Sequence, residues 1–348
     1  MPDAPSASPR LVTRFTELVG IDHPVVQEGL GPYKVVALAA AVSNAGGLGT
    51  IAIPGISEEP QAGARKLRRY IEEACALTDR PLALNVPVGA DSTGKVLPFS
   101  AAYVGAAVEA VRDPAIAARL RVITTSAGPP GLARRLIDGS GLIHMHKVGG
   151  TRQAIRAEAE GVDAVIASGY EAGGHTHARP VSTMILGPSV ADVVSIPVVL
   201  AGGMRDGRGL AAALALGADA VAMGTRFVAS QDNTDWNPAY ARRIVDAAEG
   251  DDVVFPAIYG PSRAFSNSGL ARLVAIQKEG RLSEDELTRL KDEMLIRGQR
   301  DGDMEEGLLP AGQVAGAIAD LVRVGEFVPG LVEEAIAILR SMQRRVVT

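Results

Sequence analysis

The stretch of this sequence best suited to chemistry is Ser168-Gly169-Tyr170-Glu171-Ala172-Gly173-Gly174-His175-Thr176-His177. Paired glycines let the backbone lie flat against a planar ligand while the following imidazole projects over it. An imidazole titrates near pH ~6.5 and so suits proton abstraction near neutrality. His175 is therefore the candidate base, the alternative being a loop histidine tied to a carbonyl. His177 is a second proton-transfer group, a substrate contact or an exposed residue. The His-x-His pair lacks a third ligand at clear spacing, so no metal is expected. His144 and His146 flank Met145 and share a strand face, where at least one is structural; His23, before Pro24, receives no role.

Two further segments suit an anion. Leu200-Ala201-Gly202-Gly203-Met204-Arg205-Asp206-Gly207-Arg208 and Ala222-Met223-Gly224-Thr225-Arg226-Phe227 each place glycines after a short apolar run. Missing Cβ atoms allow a phosphate to approach backbone N–H groups, and Thr225 adds a hydroxyl. Tight βα turns alone would also explain each loop; two at consecutive strand ends favour phosphate binding.

Positioning these loops calls for alternating elements. Strands are predicted at Pro24–Gln27, Leu48–Ile53, Leu82–Val86, Arg121–Thr125, Leu142–His146, Ala164–Ala167, Pro197–Ala201 and Ala220–Met223. Helices are predicted near Val35–Asn44, Ala62–Leu77, Ala101–Arg112, Gly131–Asp138, Thr151–Glu160, Val190–Ser195, Arg208–Leu216 and Pro238–Glu249. Eight βα units favour an α/β fold of the (β/α)8 TIM-barrel type over a doubly wound sheet, and no GxGxxG turn follows an early strand. The segment Phe255–Gly269 reads as loop. Helices follow at Ser283–Ile296, where Ser283 and Glu286 form a capping box, then at Ala311–Val324 and Gly330–Met342. The expected organisation is a flexible leader over 1–10, a barrel over 11–254, and a loop and helical extension over 255–348 packed at the barrel mouth.

The charge of −5 argues against a nucleic-acid partner, which would need a basic stripe. The single cysteine, Cys75, excludes an internal disulfide and reads as a small core residue. No apolar run approaches the ~20 residues of a membrane span, so a cytoplasmic protein is expected. A homo-oligomer is compatible with the sequence.

Together these segments resemble the nitronate monooxygenase, or 2-nitropropane dioxygenase-like, flavoproteins. Ala40–Gly49, Glu171–His175, Ala201–Arg208, Gly224–Phe227 and Ala311–Gly316 match that family's pattern in order. The resemblance implies FMN, with Gly202, Gly203, Ala222, Met223, Gly224 and Thr225 at its phosphate end. It implies Asn85, Ser168 and Gly173 beside the flavin and His175 as the catalytic residue. Lys147 would sit at the flavin's pyrimidine edge or be solvated. The implied reaction oxidises a nitronate or nitroalkane-like small molecule with O2. Alternatives are an NAD(P)H-dependent reductase of an enoyl thioester or quinone, and a non-redox barrel binding a phosphate-bearing metabolite. Three departures stand out: Gln27-Glu28-Gly29-Leu30-Gly31-Pro32 replaces a Gln-Ala-Pro-Met-like run, Ser168 replaces glutamine, and His177 replaces glycine.

Overall fold

Short β-branched runs such as Val25–Gln27 and Val198–Ala201 are buried on both faces, as strands of a parallel sheet covered by helices must be. The computed structural model describes residues 10–346 apart from 92 and 258–259. The leader expected over 1–10 lies outside the described residues except for Arg10. Strands β1 (Val25–Gln27), β2 (Gly49–Ala52), β3 (Leu82–Val88), β4 (Leu120–Ala127), β5 (Ile143–Val148), β6 (Ala164–Ser168), β8 (Val198–Ala201) and β9 (Ala220–Met223) run parallel. Their order is β1-β9-β8-β6-β5-β4-β3-β2. A parallel bridge between Val26 and Leu48 joins the two ends and closes the barrel. β7 (Gly174–His175) belongs elsewhere, in a small sheet described below. All eight barrel strands fall where the sequence places them.

Around the barrel lie α1 (Arg14–Val19), α2 (Val36–Asn44), α3 (Pro60–Leu77), α4 (Pro98–Ala110), α5 (Pro114–Ala117), α6 (Pro130–Ile137) and α7 (Thr151–Ala159). They continue with α8 (Thr183–Ala191), α9 (Gly207–Ala215), α10 (Thr225–Val228) and α11 (Pro238–Val245). The barrel interior is filled by Val26, Leu48, Ala83, Val122, Met145, Ile166, Val199 and Ala222, with Phe15 and Val19 of α1 in the same cluster. Outside, two larger apolar clusters bind strands to helices.

Four expectations differ from the structure. The helix expected at Val190–Ser195 is α8, beginning at Thr183, because the Glu171 carboxylate takes the free Thr183 N–H at 2.9 Å and its hydroxyl at 2.7 Å. The segment expected as loop, Phe255–Gly269, is largely a hairpin of β10 (Asp252–Ala257) and β11 (Gly260–Phe265), followed by α12 (Ser268–Glu279). The helix expected at Ala311–Val324 is only a 3-10 turn at Gln313–Ala317. The turn is tied to the barrel loops, where Gly312 donates to Thr225 Oγ1 at 2.9 Å and Gln313 to the Glu171 carbonyl at 3.0 Å. The last helix, α14 (Val324–Gln343), starts earlier than expected and covers the barrel flank rather than its mouth. Gly207 of α9 meets it so closely that a Cβ there would lie 2.5 Å from the Leu331 carbonyl. The expectation at Ser283–Ile296 holds: α13 (Glu284–Ile296) carries the Ser283–Glu286 capping box.

Candidate active site

Strand alternation decides what faces the barrel mouth. Val26, Ala83, Met145, Ile166, Ala201 and Ala222 point inward, so the residues two further along each strand also point inward, one layer nearer the carboxyl ends. That layer comprises Glu28, Asn85, Lys147, Ser168, Gly203 and Gly224. Barrel enzymes do their chemistry at this end. Asn85 packs over Gly29, where a Cβ would lie 2.4 Å from the asparagine's own. Met223 belongs to the outer core, so its side chain faces away from the mouth, and its carbonyl accepts the Glu28 N–H at 3.0 Å.

The two glycine loops meet beside this layer. Gly202 and Gly203 hold φ of +106° and +75°, conformations that suit glycine. Gly224 caps α10, and the N–H groups of Gly203, Gly224 and Thr225 find no acceptor among the described residues. The Thr225 hydroxyl accepts from Gly312, which leaves its own proton free to donate. Gly173 closes the same cradle, since a Cβ on it would come within 2.6 Å of the Ala311–Gly312 backbone. Unpaired donors gathered around missing side chains form an anion site.

His175 is held by a device the sequence did not reveal. β7 is the edge strand of the sheet β10-β11-β7, with His175 opposite Ser262 and Gly174 opposite Arg263. The Thr176 N–H adds a bond to the Pro261 carbonyl at 2.9 Å. Arg263 anchors the sheet: almost fully buried, it pairs with buried Asp252, donates to the Tyr170 carbonyl at 3.0 Å and lies 4.5 Å over the Tyr170 ring.

His175 is exposed to solvent, yet protein atoms crowd its imidazole. Its Nε2 lies 3.1 Å from Nζ of Lys291, delivered by α13. Burial pushes the imidazole down to about 3, and the charges of Lys291 and Lys147 act in the same direction. Burial also lowers the Lys291 ammonium to about 8, opposed by neighbouring Asp292. Asp292 in turn accepts from the Ser57 N–H at 2.9 Å and its hydroxyl at 2.8 Å, fixing α13 to the loop after β2. Lys147 pairs with Glu28 at 3.4 Å. His177 lies flat on Gly149, where a Cβ would stand 1.8 Å from its ring, and its pKa is lowered by burial and then by Lys147. The structure thus gathers Lys147, His175 and His177, and adds Lys291 and Glu28.

His144 and His146 point outward from β5. The Thr125 hydroxyl bonds to both, at 2.7 and 2.8 Å, and burial depresses them to about 3 and about 4. Neutral at working pH, they hold strands together. Glu28 was within reach of sequence reading, since it sits in the run that departs from the family pattern. Lys291 was not: the capping box fixed its helix but not which loop that helix would meet.

Known proteins resemble this chain in sequence and fold. The nitronate monooxygenase family model matches residues 12–334. A Mycobacterium tuberculosis protein, (3aS,4S,5R,7aS)-5-hydroxy-7a-methyl-1-oxo-octahydro-1H-indene-4-carboxyl-CoA dehydrogenase, is 34% identical over 95% of this chain and 98% of its own. A Pseudomonas aeruginosa nitronate monooxygenase is 36% identical over 67% of this chain and 74% of its own. Among solved structures, FabK from Thermotoga maritima superposes with a TM-score of 0.83 at 33% identity, covering 96% of this chain and 99% of that one. A nitroalkane oxidase from Streptomyces ansochromogenes gives 0.77 at 25% identity, covering 95% and 100%. This chain belongs to the nitronate monooxygenase family and is an oxidoreductase.

Proposed function

We propose that the protein is an FMN-dependent oxidoreductase that oxidises a nitronate or nitroalkane-like small molecule with O2. The observation that carries this reading is the exposed imidazole of His175, held 3.1 Å from Lys291 Nζ in the loop after β6. A neutral imidazole can accept a proton from a carbon acidified by a neighbouring nitro group. The ammonium of Lys147, and that of Lys291 while protonated, favour the resulting anion. Asn85, Ser168 and Gly173 would flank the flavin. Gly202, Gly203, Ala222, Gly224 and Thr225 would hold its phosphate, Met223 contributing through packing. The orphaned N–H groups of Gly203, Gly224 and Thr225 fit such a phosphate. FMN, when bound, would accept the substrate's electrons and pass them to O2. His177, flat on Gly149, would narrow the substrate side. In this reading the barrel over 11–254 carries the cofactor residues, while 255–348 completes the substrate side. No helix among the described residues is long and apolar enough to cross a membrane, and we place the enzyme in the cytoplasm.

A second reading draws on two other relatives, a carboxyl-CoA dehydrogenase at 34% identity and FabK at 33% identity. Reduction of an enoyl thioester would draw its electrons from NAD(P)H and would need a residue that protonates the α-carbon, a role open to His175. Anaerobic mixing of the yellow protein with a nitronate, a nitroalkane, NADH or NADPH separates the two. The first reading expects bleaching by the nitro compounds; rapid bleaching by NADH or NADPH without nitronate turnover would overturn it.

The phosphate assignment has its own test. Gly203→Val should leave the fold intact, since Glu171 at 3.7 Å is the nearest neighbour of the added Cβ. It forces a β-branched residue to positive φ, at a cost of ~1–3 kcal/mol, and places methyl groups over the cradle. The ratio of 450 to 280 nm absorbance in the purified variant should fall severalfold; an unchanged ratio refutes the site.

A further inference from the structure

Proton abstraction leaves a question that the site itself answers: where the proton goes after His175 takes it. The imidazole has two nitrogens with different surroundings. Nε2 lies 3.1 Å from Lys291 Nζ, while Nδ1 has no hydrogen-bond partner among the described residues and the residue is exposed, which leaves Nδ1 free for a substrate. The lysine is itself immobilised, since its neighbour Asp292 holds Ser57 through two hydrogen bonds and both residues are buried.

A hydrogen bond between these two nitrogens has two forms. With Lys291 as ammonium, Nζ donates to the Nε2 lone pair. The neutral ring must then carry its proton on Nδ1, and no lone pair faces the substrate. With Lys291 as amine, Nε2–H donates to Nζ, and the Nδ1 lone pair is free for the substrate. Only the second form is a base.

We propose that Lys291 is a positioning residue and proton acceptor, forming with His175 a dyad that switches the histidine into its basic tautomer. The proposal rests on the reading of His175 as base. In the step, the substrate C–H bond breaks and its electron pair stays on the substrate as the nitronate or enolate. The proton bonds to Nδ1 while the Nε2 proton passes to Nζ, leaving a neutral histidine and an ammonium. Loss of the Nδ1 proton to solvent, with return of the proton from Nζ to Nε2, resets the dyad. Burial supports the assignment, because it brings the Lys291 ammonium to about 8, where the amine is accessible near neutrality. The charged groups acting on the pair are Lys147 of β5, itself paired with Glu28, and Asp292 of α13. Lys147 holds the histidine neutral, and Asp292 opposes early loss of the lysine's proton.

With five histidines in the chain, ring-15N labelling reads the tautomer directly, His175 being assigned by its loss in His175→Gln. Wild-type holoprotein should pass from Nδ1–H to Nε2–H as pH rises through about 8. Its kcat/KM for a neutral nitroalkane should rise over the same interval. Lys291→Met and Lys291→Arg should both retain flavin, lose the tautomer switch and the rising limb, and fall at least ~10-fold in kcat/KM. The arginine variant is decisive, because a guanidinium keeps the charge but does not deprotonate. Normal turnover with an intact limb in Lys291→Arg, or a wild-type His175 whose tautomer does not change, overturns the dyad. A tautomer switch in a protein that turns over no nitroalkane supports the dyad and rejects the functional reading instead.

Discussion

His175→Ala should retain FMN and its visible spectrum yet lose at least ~100-fold in kcat for a neutral nitroalkane, because no other side chain is aimed to take the substrate's proton. The nearby candidates fail on geometry or charge. Lys147 is engaged with Glu28, and Lys291 with Nε2 of the imidazole. His177 lies flat on Gly149. The substitution removes the side chain of an exposed residue, so stability should change little and flavin absorbance should match wild type. Stopped-flow reduction under anaerobic conditions isolates the step. A variant reducing its flavin at near-normal rate with the neutral nitroalkane would show that the imidazole is not the base. The same variant offered a preformed nitronate should be much less impaired, since the proton is already gone.

Arg263→Ala should be the most disruptive single change away from the candidate site. It strands the Asp252 carboxylate in a buried position and removes the anchor of Tyr170, whose carbonyl and ring both meet the guanidinium. Breaking a buried ion pair on one side costs about 3–5 kcal/mol. Much of that loss should fall on the small sheet, since Arg263 sits opposite Gly174 in the ladder that orients His175. The expected result is a lower denaturant midpoint together with a large drop in kcat at temperatures where the barrel remains folded. Far-ultraviolet circular dichroism beside single-turnover kinetics checks both. A variant as stable and active as wild type would remove the hairpin from any role in positioning the histidine.

The barrel was legible because its signals are local. Runs such as Val25–Gln27 and Ala220–Met223 are short, apolar and bounded by turn residues, and each carries its own evidence for a strand. The cofactor-side candidates were legible for the same reason, since each lies at a strand end whose inward face follows from counting by two. The hairpin at Asp252–Phe265 was not. Its proline, serine and glycine content reads as loop, although its two arms pair with each other, and its link to β7 joins it to a segment almost ninety residues earlier. The helix expected at Ala311–Val324 failed in the opposite sense: an apolar, alanine-rich stretch forms only a short turn, with Gly312 and Gly316 pressed against the backbone at Glu171 and at Ala248–Glu249. Lys291 shows the limit most plainly. A helix is visible in sequence through its caps and period, but which of its side chains meets a residue 116 positions away is settled only by packing.

That separation also bears on how the chain acquires reactivity while it folds. The cradle glycines and Asn85 come from the barrel, whereas the fixing of His175 waits for β11 to return to β7 and for α13 to dock on Ser57. The barrel is itself closed by a still more distant pairing, β1 with β9, so loop entropy does not rank these contacts. A barrel that lacked the β7 and α13 contacts would own most of a ligand cradle but no oriented base.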